Sequence, residues 1–437
     1  MKYSSERIAS SRLGESYEKI LHPSGLTVYV YPKKLTTAYA LFATKYGSLE
    51  RTFAVGDEAL LTVPDGVAHF LEHKLFEEED GSDVFAKFAA LGASANAYTS
   101  NEMTAYLFSA TENVEEALEI LLDFVTHPYF TEENVAKEQG IIGQEIGMIN
   151  DRPSTRLYYA LLEGLYTDHN IKINIAGTVK TIAEITPALL YRCYRTFYHP
   201  GNMALAVSGD ITSEQVMAIV DRIIPAETMP IEIKREYPAE GAAIAKKNTV
   251  LHMEVAGPLF GYALKDLAEH GDGRERLRHA VLVSMLLNAF FLPSAKFYNQ
   301  LFKDGLVGSS VDASYESMNS CGYIIITGES DAPETVYQRL DALFANVEEH
   351  LPDEETFARI RKAMYADAVR VLDSTEDIAG EIVHAAFHGY DLWDPLEVIS
   401  SIDHNEFIKF AKGYFADKQG VTATVMPAKD RKEGDAR

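Results

Sequence analysis

One connector does most to limit the fold. From Pro225 to Lys247 the chain reads PAETMPIEIKREYPAEGAAIAKK, where prolines and mixed charge interrupt the pattern, as in segments that cross between domains. The same alternation of strands and helices occurs on each side of it. On the N-terminal side, β-branched and aromatic runs bounded by Pro and Gly predict strands at 25–32, 37–47, 95–100, 103–110 and 202–208. Apolar residues at helical spacing predict helices at 66–77, 82–91, 112–125, 132–149 and 213–224, with Thr111 and Thr131 as N-caps. On the C-terminal side, strands are predicted at 250–255, 309–315 and 322–327, and long helices at 273–291, 332–350 and 354–372. The expected organisation is an N-terminal domain at 1–225, a linker at 226–247 and a C-terminal domain at 248–437, both α+β. A chain of 437 residues calls for such a division, because single cores stop growing near roughly 250–300 residues.

Charge removes some functions. Lys and Arg number 40 against 65 Asp and Glu, a formal net charge of -25 that repels phosphate backbones, so no nucleic-acid partner is expected. The opening MKYSSERIASSRLGESYEKI has no apolar core of the secretory kind. The most apolar stretch, 280–292, is broken by Ser284 and Asn288 and falls short of the ~20 residues that span a bilayer. It reads as a buried helix, with no membrane partner. Cys193 and Cys321 are too few for a disulfide framework or a thiolate zinc site, which fits a reducing cytoplasm.

Chemistry concentrates in PDGVAHFLEHKLFEEED. On a helix, His69 and His73 stand at i and i+4, one above the other, so both imidazoles can meet one ion, with Glu72 on the same side. Val67, Phe70, Leu71 and Leu75 form a separate apolar stripe for the core. Two neutral imidazoles and a carboxylate leave a fourth tetrahedral position for water, whose pKa zinc lowers to about 7. Glu72 is the candidate base. A further ligand must come from elsewhere, and VAKEQGIIGQEIGMINDRP offers Glu138 and Glu145 at i and i+7 on one helix face.

His69-x-x-Glu72-His73 is the inverted zinc motif, and a later helix reads K-E-x-x-x-x-x-x-E-I-x-M-x-x-D-x-P. Together these resemble the pitrilysin/insulinase family of zinc peptidases. The run Gly92 to Thr99, followed by Thr104-Ala105-Tyr106, is similar to the family's strand beside the zinc helix, and Phe197 to Met203 to its lead into the last strand of the first domain. The resemblance implies two related domains, each a mostly antiparallel β-sheet with helices packed on one face. It implies a metalloendopeptidase with one Zn2+ per chain, Glu145 as the third ligand and Glu138 as a supporting acid. It also implies that a peptide substrate binds as an added strand along 95–100, touching Asn96, Ala97 and Tyr98. For Asn96 the competing reading is a turn or bulge residue that satisfies local backbone.

One departure matters. Active members of the family carry, in the second domain, an Arg and a Tyr that orient the substrate carbonyl and stabilise the oxyanion. The corresponding segment at 301–309, LFKDGLVGS, has Phe302 in place of the Arg and Gly308 in place of the Tyr. Tyr298 or Tyr315 is the candidate substitute within the chain, though neither falls at the matched position. The resemblance therefore implies a zinc-bearing chain of the bacterial branch that works with a related family subunit supplying Arg and Tyr in trans, or as a homodimer. The rival reading is a non-catalytic zinc-binding scaffold, or the peptide-binding subunit of a heterodimer.

Overall fold

The structure is a computed structural model that describes residues 3–226, 228–267, 271–308 and 310–428. Packing divides the chain into two units. Unit 1 takes in the chain up to Ile146, then Ile173–Tyr237 and Val369–Trp393; unit 2 takes in Gly147–Lys172, Pro238–Ala368 and the chain from Asp394.

The strands of unit 1 are β1 (Ser4–Ser10), β2 (Glu15–Leu21), β3 (Thr27–Pro32), β4 (Ala38–Thr44), β5 (Thr52–Val55), β6 (Leu61–Thr62), β7 (Ser94–Thr99), β8 (Thr104–Ala110), β9 (Met203–Gly209) and β10 (Ile233–Glu236). Seven of them form one sheet in the order β1-β2-β3-β9-β4-β8-β7. Only β3 and β9 pair in parallel. β4 (AYALFAT) and β9 (MALAVSG) are buried at every position, the signature of strands covered on both faces. The Thr44 hydroxyl donates to the Phe197 carbonyl at the end of the helix Pro187–Phe197. Tyr39, of opposite parity, meets Glu376 on the helix Thr375–His388. The second face of this sheet is thus covered by a helix from the far end of the sequence. His388 Nε2 lies 2.9 Å from Glu102 in the β7–β8 turn, and the Lys45 ammonium lies over the Phe387 ring.

The helices that build the site are α1 (Val67–Lys74), α2 (Val84–Ala90), α3 (Val114–Thr126) and α4 (Glu132–Asn150). Thr131 caps α4 as expected, its hydroxyl accepting from the Asn134 N–H at 3.1 Å. Thr111 does not cap α3; Asn113 stands there instead in the left-handed region, φ 54°, which asparagine tolerates better than most residues. β1 and β2 were not legible as strands, because β1 (SSERIAS) lies on the sheet's outer edge and buries nothing fully.

Unit 2 holds β11 (Asn248–Met253), β12 (Leu259–Asp266), β13 (Val311–Ser317), β14 (Gly322–Glu329) and β15 (Gly420–Pro427), in the order β11-β15-β12-β14-β13. β11 and β15 are parallel and the other pairs antiparallel. The strand expected at 309–315 begins at Val311; Ser309 lies outside the described residues. The helix Gly273–Phe291 fills the core with Leu282, Leu286 and Phe290 against Phe260, Ile324 and Leu340. That segment is apolar enough in composition to cross a bilayer, and its burial here accounts for the apolarity. α5 (Pro153–Leu165) packs on β12 and β15, with Leu157 and Leu161 against Gly261. Asp266 is buried and accepts hydrogen bonds from the Tyr315 and Tyr414 hydroxyls and the Lys418 ammonium.

The units part between Tyr237 and Pro238, inside the connector. The connector is not wholly a linker, since Ile233–Glu236 pairs with β5 as β10. Residues 147–172 and 369–393 also join the unit opposite to their place in sequence. Their apolar faces dock on whichever sheet lacks cover, a preference that sequence order does not encode.

Candidate metal centre

α1 begins after Gly66, whose φ of 95° suits glycine, and a Cβ there would stand 2.6 Å from the Ala176 carbonyl oxygen. Val67, Ala68, Phe70 and Leu71 are buried, which turns His69, Glu72 and His73 toward another side of the helix. The two imidazole rings lie 4.6 Å apart. α4 brings Glu145 to both: Oε1 is 3.6 Å from His69 Nε2 and Oε2 is 3.4 Å from His73 Nε2. These spacings exceed those of good hydrogen bonds. They match the edge, about 3.4 Å, of a tetrahedron built on metal–ligand bonds of about 2.1 Å. Among the described residues, His69, His73 and Glu145 are the one group whose ligand atoms all lie within 4.8 Å of one another. Two imidazole nitrogens and one carboxylate are a donor set that suits zinc.

Glu138, also on α4, places Oε1 3.1 Å from His73 Nδ1. That contact holds the Nδ1 side of the ring and leaves Nε2 facing Glu145. Burial opposes a charge on His73, but the Glu138 hydrogen bond and the charges of Glu138, Glu72 and Glu145 outweigh it and hold the imidazole above its ordinary value. The carboxylates that favour a proton there favour a metal cation in the same place.

Glu72 is tied from another element, because the Thr99 hydroxyl at the end of β7 donates to its Oε2 at 2.6 Å. β7 pairs with β8, in the register Asn96↔Leu107, Ala97↔Tyr106 and Tyr98↔Ala105, and among the described residues no strand pairs with its other edge. Asn96 and Tyr98 point to one side of the sheet, and Ala97 shares the side of Thr99. Asn96 Oδ1 accepts from the Ala97 N–H at 2.9 Å, so this side chain does satisfy local backbone. Behind the hairpin, the Ser48 and Leu49 N–H groups donate to the carbonyls of Ser100 and Asn101. That loop is held by Glu50, which is 5% exposed and accepts from the Gly47 N–H and the Tyr237 hydroxyl, each at 2.8 Å.

Residues 63–179 match the family described as Insulinase (Peptidase family M16), and residues 184–364 match Peptidase M16 inactive domain. The chain belongs to the insulinase family. It is 41% identical over 409 residues to the uncharacterized zinc protease YmfH of Bacillus subtilis (strain 168), covering 92% of this chain and 95% of that one. Among solved structures, an M16-like protein of Alicyclobacillus acidocaldarius matches with a TM-score of 0.88 and 34% identity, over 98% of this chain and 99% of that one. A protease of Helicobacter pylori matches with a TM-score of 0.78 at 19% identity, over 94% and 99%, a likeness of fold alone.

In this member of the family, Phe302 stands in the last turn of the helix Lys296–Lys303, half-exposed and stacked on Tyr298. Gly305 follows with φ 67°, and Gly308 carries no side chain to place. Tyr298 is buried, and the Tyr315 hydroxyl is engaged by Asp266 at 3.0 Å. Sequence reasoning singled out His69, Glu72, His73, Glu138 and Glu145, and the structure brings all five together. It missed Thr99, although strand parity from Ala95 and Ala97 puts that residue on the α1 side, and it missed Lys74 and Glu50, each of which has one partner three residues away and another, Glu138 or Tyr237, far away in sequence.

Proposed function

We propose that this chain is a zinc-dependent endopeptidase for peptides or unfolded segments. The observation that carries the reading is the meeting of His69, His73 and Glu145 beside a carboxylate, Glu72, that Thr99 ties to an edge strand. His69 Nε2, His73 Nε2 and the Glu145 carboxylate would hold one Zn2+ per chain, which supplies a Lewis acid and a water of lowered pKa. Glu72 accepts the proton from the water that adds to the scissile carbonyl and returns it to the leaving amine. Thr99 keeps that carboxylate in place. The substrate lies as an extra strand on β7, its backbone bonded to the edge and its alternate side chains meeting Asn96 and Tyr98 or Ala97.

Because Phe302 and Gly308 occupy the positions of the oxyanion-stabilising pair, the reading includes a partner: a related subunit supplying Arg and Tyr in trans, or a second copy of this chain. The family match described as an inactive domain also favours the rival reading, a zinc-binding scaffold or peptide-binding subunit without catalysis. A cytoplasmic setting is supported by the two buried free thiols, Cys193 and Cys321. Metal analysis and peptide cleavage by the purified chain, alone and with a related subunit, test the proposal. Zinc that is lost in His73→Ala, with slow cleavage that the partner accelerates, supports it. A chain that holds zinc yet cleaves nothing in either setting leaves the scaffold, and cleavage undiminished by Glu72→Gln overturns the assignment of the base.

A further inference from the structure

Lys74 is unusual for a residue on the helix that bears the histidines. Lysine is rarely buried in full unless paired, yet this side chain has 0% exposure one position after His73. Its ammonium meets two carboxylates. Glu77, half-exposed, pairs with it toward solvent, and Glu138 presents Oε2 at 3.8 Å. The other oxygen of Glu138 lies 3.1 Å from His73 Nδ1, so one nearly buried carboxylate bridges the lysine and the imidazole. The imidazole in turn directs Nε2 toward Glu145 at 3.4 Å. Ammonium, carboxylate, imidazole and ligand position therefore form an unbroken series of contacts.

Charge points the same way. Glu72, Glu138 and Glu145 place three negative charges around the site, one more than a divalent cation offsets, and Lys74, shared with Glu77, brings a positive charge up behind the histidine. A contact of 3.8 Å is an ion pair and not a hydrogen bond, so it fixes where the Glu138 carboxylate stands and leaves that group's hydrogen bond for His73.

We propose that Lys74 is a positioning residue of the metal centre, holding Glu138 so that the His73 imidazole keeps Nε2 on the metal position. This rests on the zinc site argued above. The test is the Zn2+ dissociation constant of the full chain, measured by competition with a chelator, together with the visible absorption of the Co2+ form. K74M should bind Zn2+ about 10- to 100-fold more weakly, the range for groups that orient a metal-ligating histidine, and its Co2+ spectrum should shift. E138Q should lose a similar amount, and K74M/E138Q should be no weaker than E138Q alone. E77Q, which removes the other partner of Lys74, should stay within about twofold of the parent, the scatter of uncoupled substitutions. Circular dichroism establishes that each variant is folded, and K74Q replaces K74M if the latter is not. K74M binding within about twofold of the parent, or losses that multiply in the double variant, overturns the inference. A parent chain that takes up no Zn2+ at all refutes the metal reading beneath it, a result distinct from tight parental binding that K74M leaves unchanged.

Discussion

Replacing Glu50 by Gln removes a pH dependence whose size follows from the burial of one carboxyl. Burial pushes Glu50 from 4.5 up to about 7, against the pull of the Gly47 N–H, the Arg235 charge and the Tyr237 hydroxyl. Between those two values the unfolded chain has released a proton that the folded chain still holds. The associated stability is complete below about pH 4.5, falls as pH rises through about 7, and is constant above it. The difference between 4.5 and about 7, at roughly 1.4 kcal/mol per unit, makes the loss about 3 kcal/mol. Gln keeps an oxygen for Gly47 and Tyr237 but adds a buried donor without an acceptor, a cost of about 1–3 kcal/mol at every pH. The quantity to measure is therefore the change with pH in the stability gap between the two proteins. Trp393 is the sole tryptophan; it is buried in unit 1 beside Tyr17 and Tyr31, so its fluorescence during urea unfolding reports the unit that contains Glu50. From about pH 5 to about pH 8, E50Q should gain about 2.5 kcal/mol on the parent, part of the loss having already occurred by pH 5. A gap that stays the same at both ends refutes the argument, whatever its absolute size.

Glu72→Gln should keep its zinc while turnover falls about 100- to 10,000-fold, the usual worth of a general base, and metal analysis beside peptide cleavage reads both. Thr99→Val removes a hydrogen bond to a charged group, worth about 1.5–3 kcal/mol, so kcat should drop by about tenfold or more with KM unchanged. A rise in KM alone would assign Thr99 to substrate binding instead. Ala97→Pro deletes the amide donor that Asn96 Oδ1 holds and that an added strand would take over, on an edge strand that can accommodate proline, and should raise KM for unstructured peptides about 3- to 10-fold at constant zinc content. Addition of a related subunit that carries the Arg and Tyr should raise turnover about 100- to 1,000-fold, the scale of an oxyanion contact, and substitution of its Arg should abolish the gain.

The helical histidine motif was legible because i and i+4 spacing specifies a shared face without reference to the rest of the chain, and β7 and β8 were legible because their alternation is local. Glu145 was identified by its resemblance to a family pattern; spacing alone left it level with Glu138, and only the fold shows one carboxylate between the two Nε2 atoms and the other behind His73. Lys74 and Glu50 were illegible for a physical reason. A buried ionic side chain is recognisable only through its full set of partners, and part of each set stands far away, at Glu138 for Lys74 and at Tyr237 for Glu50. β1 stayed hidden because an edge strand exposed along its length carries no burial period. The crossing of residues 369–393 into unit 1 stayed hidden because an amphipathic helix states that it needs a sheet without stating which.

That crossing sets a schedule for synthesis. β9 is complete at Gly209, yet the helix that covers one face of β4 and β9 starts only at Thr375, 166 residues later. At roughly 5–20 residues per second, the ribosome needs roughly 10–30 seconds to deliver it. Through that interval the nascent sheet carries an apolar face with no cover, the condition under which chaperones bind. A polypeptide released between Gly209 and Thr375 would keep the histidine motif and every candidate metal ligand and still lack part of its first core.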